Sequence, residues 1–428
     1  MKKLNLYEHS GRWQPIVNIF ALSSSRVFFL AFAVSLTAGF FVQLLLLPAL
    51  PDLHAGNGLL KGLDSVWFHH EAIKLVALLR DQGWSAWELR PQGNAPIGIT
   101  AALYFITGIS EPWVLLFINA PLLALSAVAL YRIFMAISPI RTLAFMAILP
   151  FILFPSAAMI YGQIHKDVFS IAGVLLITAT WVRFSQQAQL SWRSLLGTVL
   201  FTATGCLLVW IVRPYLLQAL MVTSLLAALL LVSVTGRGRG AAWWACILLC
   251  LLVHLGYMYM PTAPTAPTYL ERAVLNLNVM RVGFATSSPN TGSNIDLEVT
   301  FDSLADVLLY VPRAFKTGLL APFPSMWLSE GASPGSRIMR LIAGLEMMVS
   351  YILLIGVVIL LYGLKSSRPA LLVSILISIT MTVILVLVVC NVGTLYRMRY
   401  GNWQLLNGFG VLGWVLWWQN KLAIRSGV

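Results

Sequence analysis

The feature that most constrains this chain is a succession of apolar runs, each of roughly 20 residues and free of charge inside. A helix of that length spans the hydrocarbon core of a bilayer, so each run can cross a membrane once. The composition agrees, because 59% of the 428 residues are hydrophobic and only 10% are charged, which is far less charge than a soluble domain carries. The sequence therefore predicts an all-α polytopic membrane protein, with a single integral membrane domain over residues 1–428.

The net charge of +13 does not indicate a nucleic-acid ligand, because the basic residues form no stripe and no long run. They fall in short clusters around the apolar runs, which is the positive-inside pattern and sets orientation rather than a ligand. The clusters are Lys2, Lys3, Arg12 and Arg26; Arg132 and Arg141; Arg183 and Arg193; Arg237 and Arg239; Lys365 and Arg368; and Lys421 and Arg425. This pattern predicts cytoplasmic N- and C-termini, and a compact chain of this kind is expected in a bacterial inner (plasma) membrane.

The runs predict ten transmembrane helices. They cover residues 27–50, 112–134, 142–161, 168–183, 194–212, 214–235, 241–260, 339–363, 369–390 and 403–418. This count leaves two extended non-cytoplasmic loops, residues 51–94 and 261–338. Residues 95–109 are apolar as well, but they are short for a crossing, and an extra crossing would place Arg237 and Arg239 outside. We expect this segment to be re-entrant or only partly inserted.

The first loop contains a predicted amphipathic surface helix that begins near Asp64. Its charged residues are expected to stay in water and its apolar residues to face lipid. The apolar set is Val66, Ile73, Leu75, Val76 and Leu79. An acid in the first turn of a helix is also favoured by the helix dipole, so helix capping is the alternative to a functional role for Asp64.

Charged residues at the ends of spans are the main candidates for chemistry, because charges there are costly unless they are paired or wet. Lys166 and Asp167 stand between two apolar runs, where a snorkelling lysine and a helix-capping aspartate are the alternative. Arg213 stands in an Arg-Pro-Tyr break, and Arg397 and Arg399 lie in a loop predicted to be outside. Their guanidinium groups match phosphate, with anchoring at the headgroup level as the alternative.

Other ionisable residues are candidates for supporting roles. Glu346 lies inside a predicted span, and an intramembrane carboxylate is a functional candidate with an arginine as its expected partner. His69 and His70 follow Asp64, but adjacent histidines point to different faces of a helix and lack HxxxH or HExxH spacing. No metal ligand is therefore assigned, and a requirement for a divalent metal is left open.

With these residues in view, the chain resembles the GT-C superfamily of integral membrane glycosyltransferases, which includes bacterial enzymes that use polyprenyl-phosphate sugars. Such enzymes have a first span followed by a long non-cytoplasmic loop with an acidic residue and a surface helix. Here that segment is LDSVWFHHEAI, with Asp64 in the position of the acid. Further short likenesses are RPQGNAPIG, FPS before the Lys-Asp pair, RPY, SNID, APFP and RMR.

The resemblance implies transfer of a sugar from a polyprenyl-phosphate donor to an acceptor glycan or lipid hydroxyl on the non-cytoplasmic face, in cell-envelope glycan or glycolipid synthesis. Asp64 is then the general base. The residues assigned to the lipid phosphate are Lys166, Arg213, Arg397 and Arg399. Asp167 is expected to orient Lys166, and Trp67, Trp84 or Trp87 to stack on sugar rings. The other supporting residues are His69, His70, Asp296 and Glu346.

Two other functions stay open. A transporter or flippase for a lipid-linked or anionic solute needs charges along a path and usually inverted repeats. Glu346 fits the first requirement, but the two halves of the chain show no two-fold similarity. A polysaccharide polymerase or ligase would share the basic loops and is hardly separated from the first interpretation. The acid at the head of a surface helix directly after the first span favours the GT-C interpretation.

Overall fold

The computed structural model describes residues 21–186, 192–235, 269–287, 292–331, 333–363 and 369–425. Within these ranges the regular structure is helical, and the only β-type pairing is two isolated bridges. The predicted all-α class is therefore confirmed. The longer helices are, in chain order, α1 (Ser24–Phe40), α2 (Asp64–Gln82), α3 (Ala95–Thr107), α4 (Leu116–Ile137), α5 (Arg141–Leu153), α6 (Pro155–Tyr161), α7 (Asp167–Gln186), α8 (Trp192–Val212), α9 (Leu216–Thr235), α10 (Tyr269–Ser287), α11 (Leu304–Leu320), α12 (Pro334–Gly363), α13 (Pro369–Val388), α14 (Val392–Met398) and α15 (Tyr400–Arg425).

Seven helices of the described residues are long and apolar enough to cross a membrane, namely α1, α4, α7, α8, α9, α12 and α13. The first of them is α1 together with the π-helix Phe41–Leu46 that continues it. Each of the seven coincides with a predicted span. The bent pair α5 and α6 would make an eighth crossing if it is one span. Of the remaining predictions, span 241–260 lies outside the described residues, and span 403–418 lies in α15, which is not among the seven. The chain is thus a multi-pass membrane protein, and the ten-helix count stays a prediction.

Proline sets the bend between α5 and α6, whose axes differ by 63°. Pro155 opens α6, and the residue before a proline is driven out of the helical region of backbone space. Phe154 accordingly takes φ −61° and ψ 132°, so the helix ends and restarts in a new direction. The restart leaves the first N–H groups of α6 without partners inside the helix.

The core is built by helix-on-helix packing. α12 packs along α15, α1 along α4, and α7 along α8, while α4 and α5 meet α7 and α15 around the largest cluster of buried apolar side chains. Small residues let α12 and α15 approach closely, because Gly356 lies against the backbone of Gly410 and Gly413. Close approach at glycine is how membrane helices gain packing energy without a hydrophobic driving force between them.

The surface helix α2 begins at Asp64, as predicted. Its apolar face, however, packs on α3 rather than on lipid, and Leu75, Val76 and Leu79 are buried there. The prediction that these three residues face lipid was wrong, because the short α3 folds back beside α2 and covers them. α3 has 13 residues, which at 1.5 Å per residue is roughly 20 Å, too short for a full crossing.

Candidate active site

Asp64 is the first residue of α2, and its carboxylate is more than half exposed, at 57%. The residue before it, Leu63, is extended and offers no side-chain cap. The Asp64 carboxylate faces Arg397, with 3.5 Å between its Oδ2 and the guanidinium. The predicted base and one predicted phosphate ligand, far apart in sequence, are therefore neighbours.

Arg397 is carried by the short helix α14, whose start is fixed by Asn391. The Asn391 side chain accepts a hydrogen bond from the backbone N–H of Thr394 at 3.0 Å. From α14 the Arg397 guanidinium reaches both Asp64 and the ring of His165, 3.3 Å from its Nδ1. Burial, together with the positive charge of Arg397, lowers the pKa of His165 to about 4, so its imidazole is neutral near pH 7 and Nδ1 can accept the bond.

Lys166 lies in the segment between α6 and α7. Its Nζ donates to the Asn94 side chain at 3.1 Å and stands 5.8 Å from the ring centroid of Phe68. Burial and the nearby Arg213 lower the pKa of Lys166 to about 8, against the opposing pull of Asp167. Lys166 is therefore mostly charged near pH 7, and its charge is easily changed.

Asp167 pairs with Arg213 and not with Lys166, contrary to the predicted orienting role. The Arg213 guanidinium donates to the Asp167 carboxylate at 2.6 Å and to the Tyr215 hydroxyl at 2.6 Å. Both members of the pair are buried, since their side chains are 4% and 2% exposed. The pair fixes the start of α7 to the break between α8 and α9, because each residue stands at one of those helix ends.

These contacts define one group of side chains, which we call the Asp64 cluster. Its members are Asp64, His165, Lys166, Asp167, Arg213 and Arg397. With the imidazole neutral, three cations face two carboxylates, which leaves a surplus of one positive charge. The surplus falls on the accessible side of the cluster, because Asp167 already neutralises the buried Arg213. An anion placed beside Lys166 and Arg397 would therefore be stabilised.

A buried glutamine ties the cluster to the loop before α2. The Gln163 side chain donates to the carbonyl of Gly58 at 3.0 Å and accepts from the N–H of Leu60 at 3.1 Å and the hydroxyl of Ser65 at 3.4 Å. Asn119, on α4, donates to the carbonyl of Gln163 at 3.0 Å. Hydrogen bonds from the region around the start of α2 and from α4 thus hold the segment that carries His165 and Lys166.

The two histidines of α2 have different surroundings. His69 is buried and hydrogen-bonds the Tyr104 hydroxyl at 2.9 Å and the Asn57 side chain at 3.1 Å. Burial lowers its pKa to about 4, with a further contribution from His70. His70 points outward and is exposed. His69 therefore braces the loop against α3, while neither ring is among the contacts of Asp64.

Three other predicted site residues lie apart from the Asp64 cluster. Arg399 is fully buried and donates to the carbonyls of Gly318 and Ala321, at the end of α11, with its guanidinium 4.5 Å above the ring of Trp403. Asp296 pairs with Arg313 at 3.0 Å. The Arg399 guanidinium is therefore engaged by backbone carbonyls, apart from the Asp64 cluster.

Glu346 is the third predicted site residue that lies apart from the Asp64 cluster. The prediction that an arginine pairs with Glu346 was wrong. Its carboxylate accepts from the backbone N–H of Ser156 at 2.7 Å, from the Ser156 hydroxyl at 2.7 Å and from the Tyr396 hydroxyl. Ser156 is in the first turn of α6, whose N–H groups lack helical partners after the proline bend. A carboxylate at a helix N-terminus satisfies those donors and complements the helix dipole, so no arginine is needed.

Exposed tryptophans lie on α2 and on the segment after it. Trp67 follows Asp64 by three residues, which places both on one face of the helix, and it is 40% exposed. Trp84 and Trp87 are also exposed and meet edge to face, while the Trp87 indole donates to a backbone carbonyl of α3 at 3.0 Å. Trp67 is the aromatic side chain best placed to contact a ligand held at Asp64.

The sequence interpretation missed His165, Asn94 and Gln163. All three are polar residues at the edge of an apolar segment, and His165 and Gln163 stand directly ahead of the Lys-Asp pair. That position was the available signal. Within the described residues, no three His, Cys, Asp or Glu side chains come together in a way that could hold a metal ion.

The geometry defines a helical multi-pass membrane protein with a cationic cluster around one exposed acid. Comparison of the chain with protein-family models, with curated proteins and with solved structures yields no match.

Proposed function

We propose that the chain is a GT-C-like membrane glycosyltransferase, which transfers a sugar from a polyprenyl-phosphate donor to an acceptor hydroxyl. The reaction is assigned to the non-cytoplasmic face of a bacterial inner membrane, in cell-envelope glycan or glycolipid synthesis. The observation that carries the proposal is the exposed Asp64 carboxylate, 3.5 Å from Arg397, with the Lys166 ammonium near enough to interact electrostatically with both. A base and an anion site thus stand side by side at the surface helix.

The reaction needs both groups at once. As the acceptor oxygen attacks the anomeric carbon, Asp64 takes the hydroxyl proton. The bond between that carbon and the phosphate oxygen breaks, and its electron pair leaves with the polyprenyl phosphate. Lys166 and Arg397 stabilise the negative charge that gathers on this leaving group. The products are the glycoside and the lipid phosphate, and Asp64 then returns its proton to solvent.

The buried pair of Asp167 and Arg213 has a positioning role in this scheme. It fixes the start of α7, directly after Lys166. Because the charges of the pair cancel, Lys166 and Arg397 are the cations that bind the phosphate. Trp67, on the same face of α2 as Asp64, is proposed to stack on the sugar ring, since aromatic faces present flat apolar surface to sugars. The ten-span GT-C arrangement belongs to this proposal as well.

The test is sugar transfer by the purified protein in detergent. Labelled polyprenyl-phosphate sugars are offered as a panel, with crude membrane lipids as acceptors, to the wild type, Asp64→Asn and Asp81→Asn. Asp81 is the matched control, because it is an exposed acid near the other end of the same helix. We expect turnover by the wild type and Asp81→Asn, and none by Asp64→Asn.

Full activity of Asp64→Asn would refute the assignment of the base. A different result, in which no donor is turned over but one of them raises the thermal stability of the protein, would instead favour a transporter or flippase of a lipid-linked solute. The asparagine variant keeps the size of the side chain, so its membrane insertion and folding should be unchanged.

A further inference from the structure

The end of the bundle opposite the Asp64 cluster holds two adjoining cavities of about 470 and 490 Å³. They share Arg132, Ala136 and Gln186, so they form one groove around Arg132. On α7, Arg183 lines this groove while Asp167 belongs to the Asp64 cluster. At 1.5 Å per residue these two positions are roughly 24 Å apart along the helix. The groove is therefore a separate feature.

Three arginines from three helices line the groove. Arg132 comes from α4, Arg183 from α7, and Arg141 is the first residue of α5. Aspartate and glutamate are absent from the described residues that line it. The Arg132 guanidinium stands 5.5 Å from the ring centroid of Phe201, on α8, so it reaches across the groove. Three positive charges, with no carboxylate among the described lining residues, favour an anion there.

The start of α5 adds to this preference. Ile140 is at its N-cap position and offers no side-chain acceptor. The N-terminus of a helix carries a partial positive charge and tends to bind anions. The positive charge of Arg141 is repelled by the partial positive charge at this helix N-terminus. An anion bound between the Arg141 guanidinium and the helix N-terminus would relieve this repulsion.

The rest of the groove is mainly apolar and elongated. Its lining residues extend from Ala136 back to Leu125 on α4 and from Gln186 back to Leu176 on α7. Each of these stretches is roughly 15 Å long at the rise of an α-helix. Phe201 completes the wall from α8. A cationic end that continues into an apolar trough of this length has the shape of a phosphate headgroup followed by a hydrocarbon chain.

We propose that this groove binds an anionic phospholipid, with its phosphate at Arg132, Arg141 and Arg183 and one acyl chain along α4 and α7. Inorganic phosphate would satisfy the arginines but would leave the apolar trough without a partner, so the lipid is the assigned occupant. By the positive-inside pattern this end faces the cytoplasm, where anionic lipids attract basic residues. The inference does not depend on the proposed transferase activity.

The test is native mass spectrometry and thermal unfolding of the detergent-purified, delipidated protein. The probes are dioleoylphosphatidylglycerol, dioleoylphosphatidylcholine and inorganic phosphate. The wild type should retain the phosphatidylglycerol and be stabilised by it, and should respond little to the other two. The double variant Arg132→Gln/Arg141→Gln should bind phosphatidylglycerol about tenfold more weakly or worse, as expected for lost charge-assisted hydrogen bonds.

Arg26→Gln is the matched control, because Arg26 is an exposed arginine at the same end that lines neither cavity. It should bind phosphatidylglycerol as the wild type does. Ala179→Phe fills the apolar trough while it keeps every arginine, and it should also weaken lipid binding. Equal loss in Arg26→Gln and the double variant, equal retention of both lipids, or equal binding of inorganic phosphate would overturn the proposal. The wild-type comparison among the three probes needs no variant to fold.

Discussion

Lys166 is the member of the Asp64 cluster whose charge responds most readily to pH. Because burial lowers its pKa to about 8, the ammonium is present below that pH and is lost as pH rises through it. Donor affinity should therefore fall by about tenfold between about pH 7 and about pH 9 if the charged form alone binds phosphate. The measurement is the donor KM, or the donor dissociation constant, as a function of pH.

Lys166→Arg is the control for this effect. A guanidinium stays charged up to about pH 12, so the decline above about pH 8 should vanish even if the altered shape weakens binding overall. The same decline in both proteins would mean that another group titrates, and the assigned role of Lys166 would be wrong.

Substitution of either residue of the buried pair, Asp167 or Arg213, should strongly lower the stability of the protein. Removal of either partner leaves an uncompensated buried charge, at a cost of about 3–5 kcal/mol. Asp167→Asn and Arg213→Gln should therefore lower the thermal unfolding temperature strongly. Lys74→Gln, which breaks an exposed pair with Glu71, should cost under about 0.5 kcal/mol. Similar unfolding temperatures for all three variants would contradict the structural role of the buried pair.

Five of the six residues of the Asp64 cluster were predicted from the sequence as site residues, but their partners were not. Charges at the ends of spans stand out in so apolar a chain, which identified Lys166, Asp167, Arg213 and Arg397. Asp64 was identified by its position at the start of the surface helix. The pairing of Asp167 with Arg213 depends on how α7 meets the break before α9, which local patterns do not encode. The neutral His165 went unrecognised for the same reason, because its role comes from contact with Arg397, 232 positions away.

At the scale of elements, the positions of the helices were predicted more reliably than the neighbours against which they pack. The start of α2 at Asp64 was correct because the amphipathic pattern and the first-turn acid both mark it. The packing of α3 on α2 was not predicted, because the apolar composition of residues 95–109 does not show that they cover Leu75, Val76 and Leu79. Hydrophobicity alone does not distinguish a face that meets lipid from one that meets another helix.

Three buried ionisable side chains bind the ends of helices from other parts of the chain, which was not predicted from the sequence. Arg281 donates to the carbonyls of Val386 and Leu387, at the end of α13, and Arg399 does the same at the end of α11. Glu346 accepts from the first turn of α6. Each charge complements the terminal groups of a helix from another part of the chain. These residues stabilise the bundle and are separate from the Asp64 cluster.

The contact between α12 and α15 gives a prediction about elements. A Cβ at Gly413 would collide with the backbone carbonyl of Gly356, so Gly413→Ala should force the helices apart and cost about 1–3 kcal/mol. Gly283→Ala is the matched control, because no atom lies within 4 Å of the added methyl, and alanine favours the helix by about 1 kcal/mol. Thermal unfolding in detergent compares the two, and equal stability would contradict the close packing.

At the scale of the whole molecule, the candidate active site is assembled from four separate parts of the chain. The start of α2, the segment before α7, the break after α8 and the short α14 converge at one end of the bundle. The apolar runs and their basic flanks predicted a polytopic membrane protein whose functional residues lie on the non-cytoplasmic side. Which loops meet there depends on the packing of α4, α7 and α15, and so it required the structure.

The most direct test of the central claim is sugar transfer in proteoliposomes of known orientation, with the wild type and Asp64→Asn side by side. Transfer should require the donor in the leaflet that carries Asp64. The variant should transfer no sugar, although it inserts in the same orientation. Transfer that proceeds equally in both proteins, or that uses donor from the opposite leaflet, would contradict an active site built around Asp64.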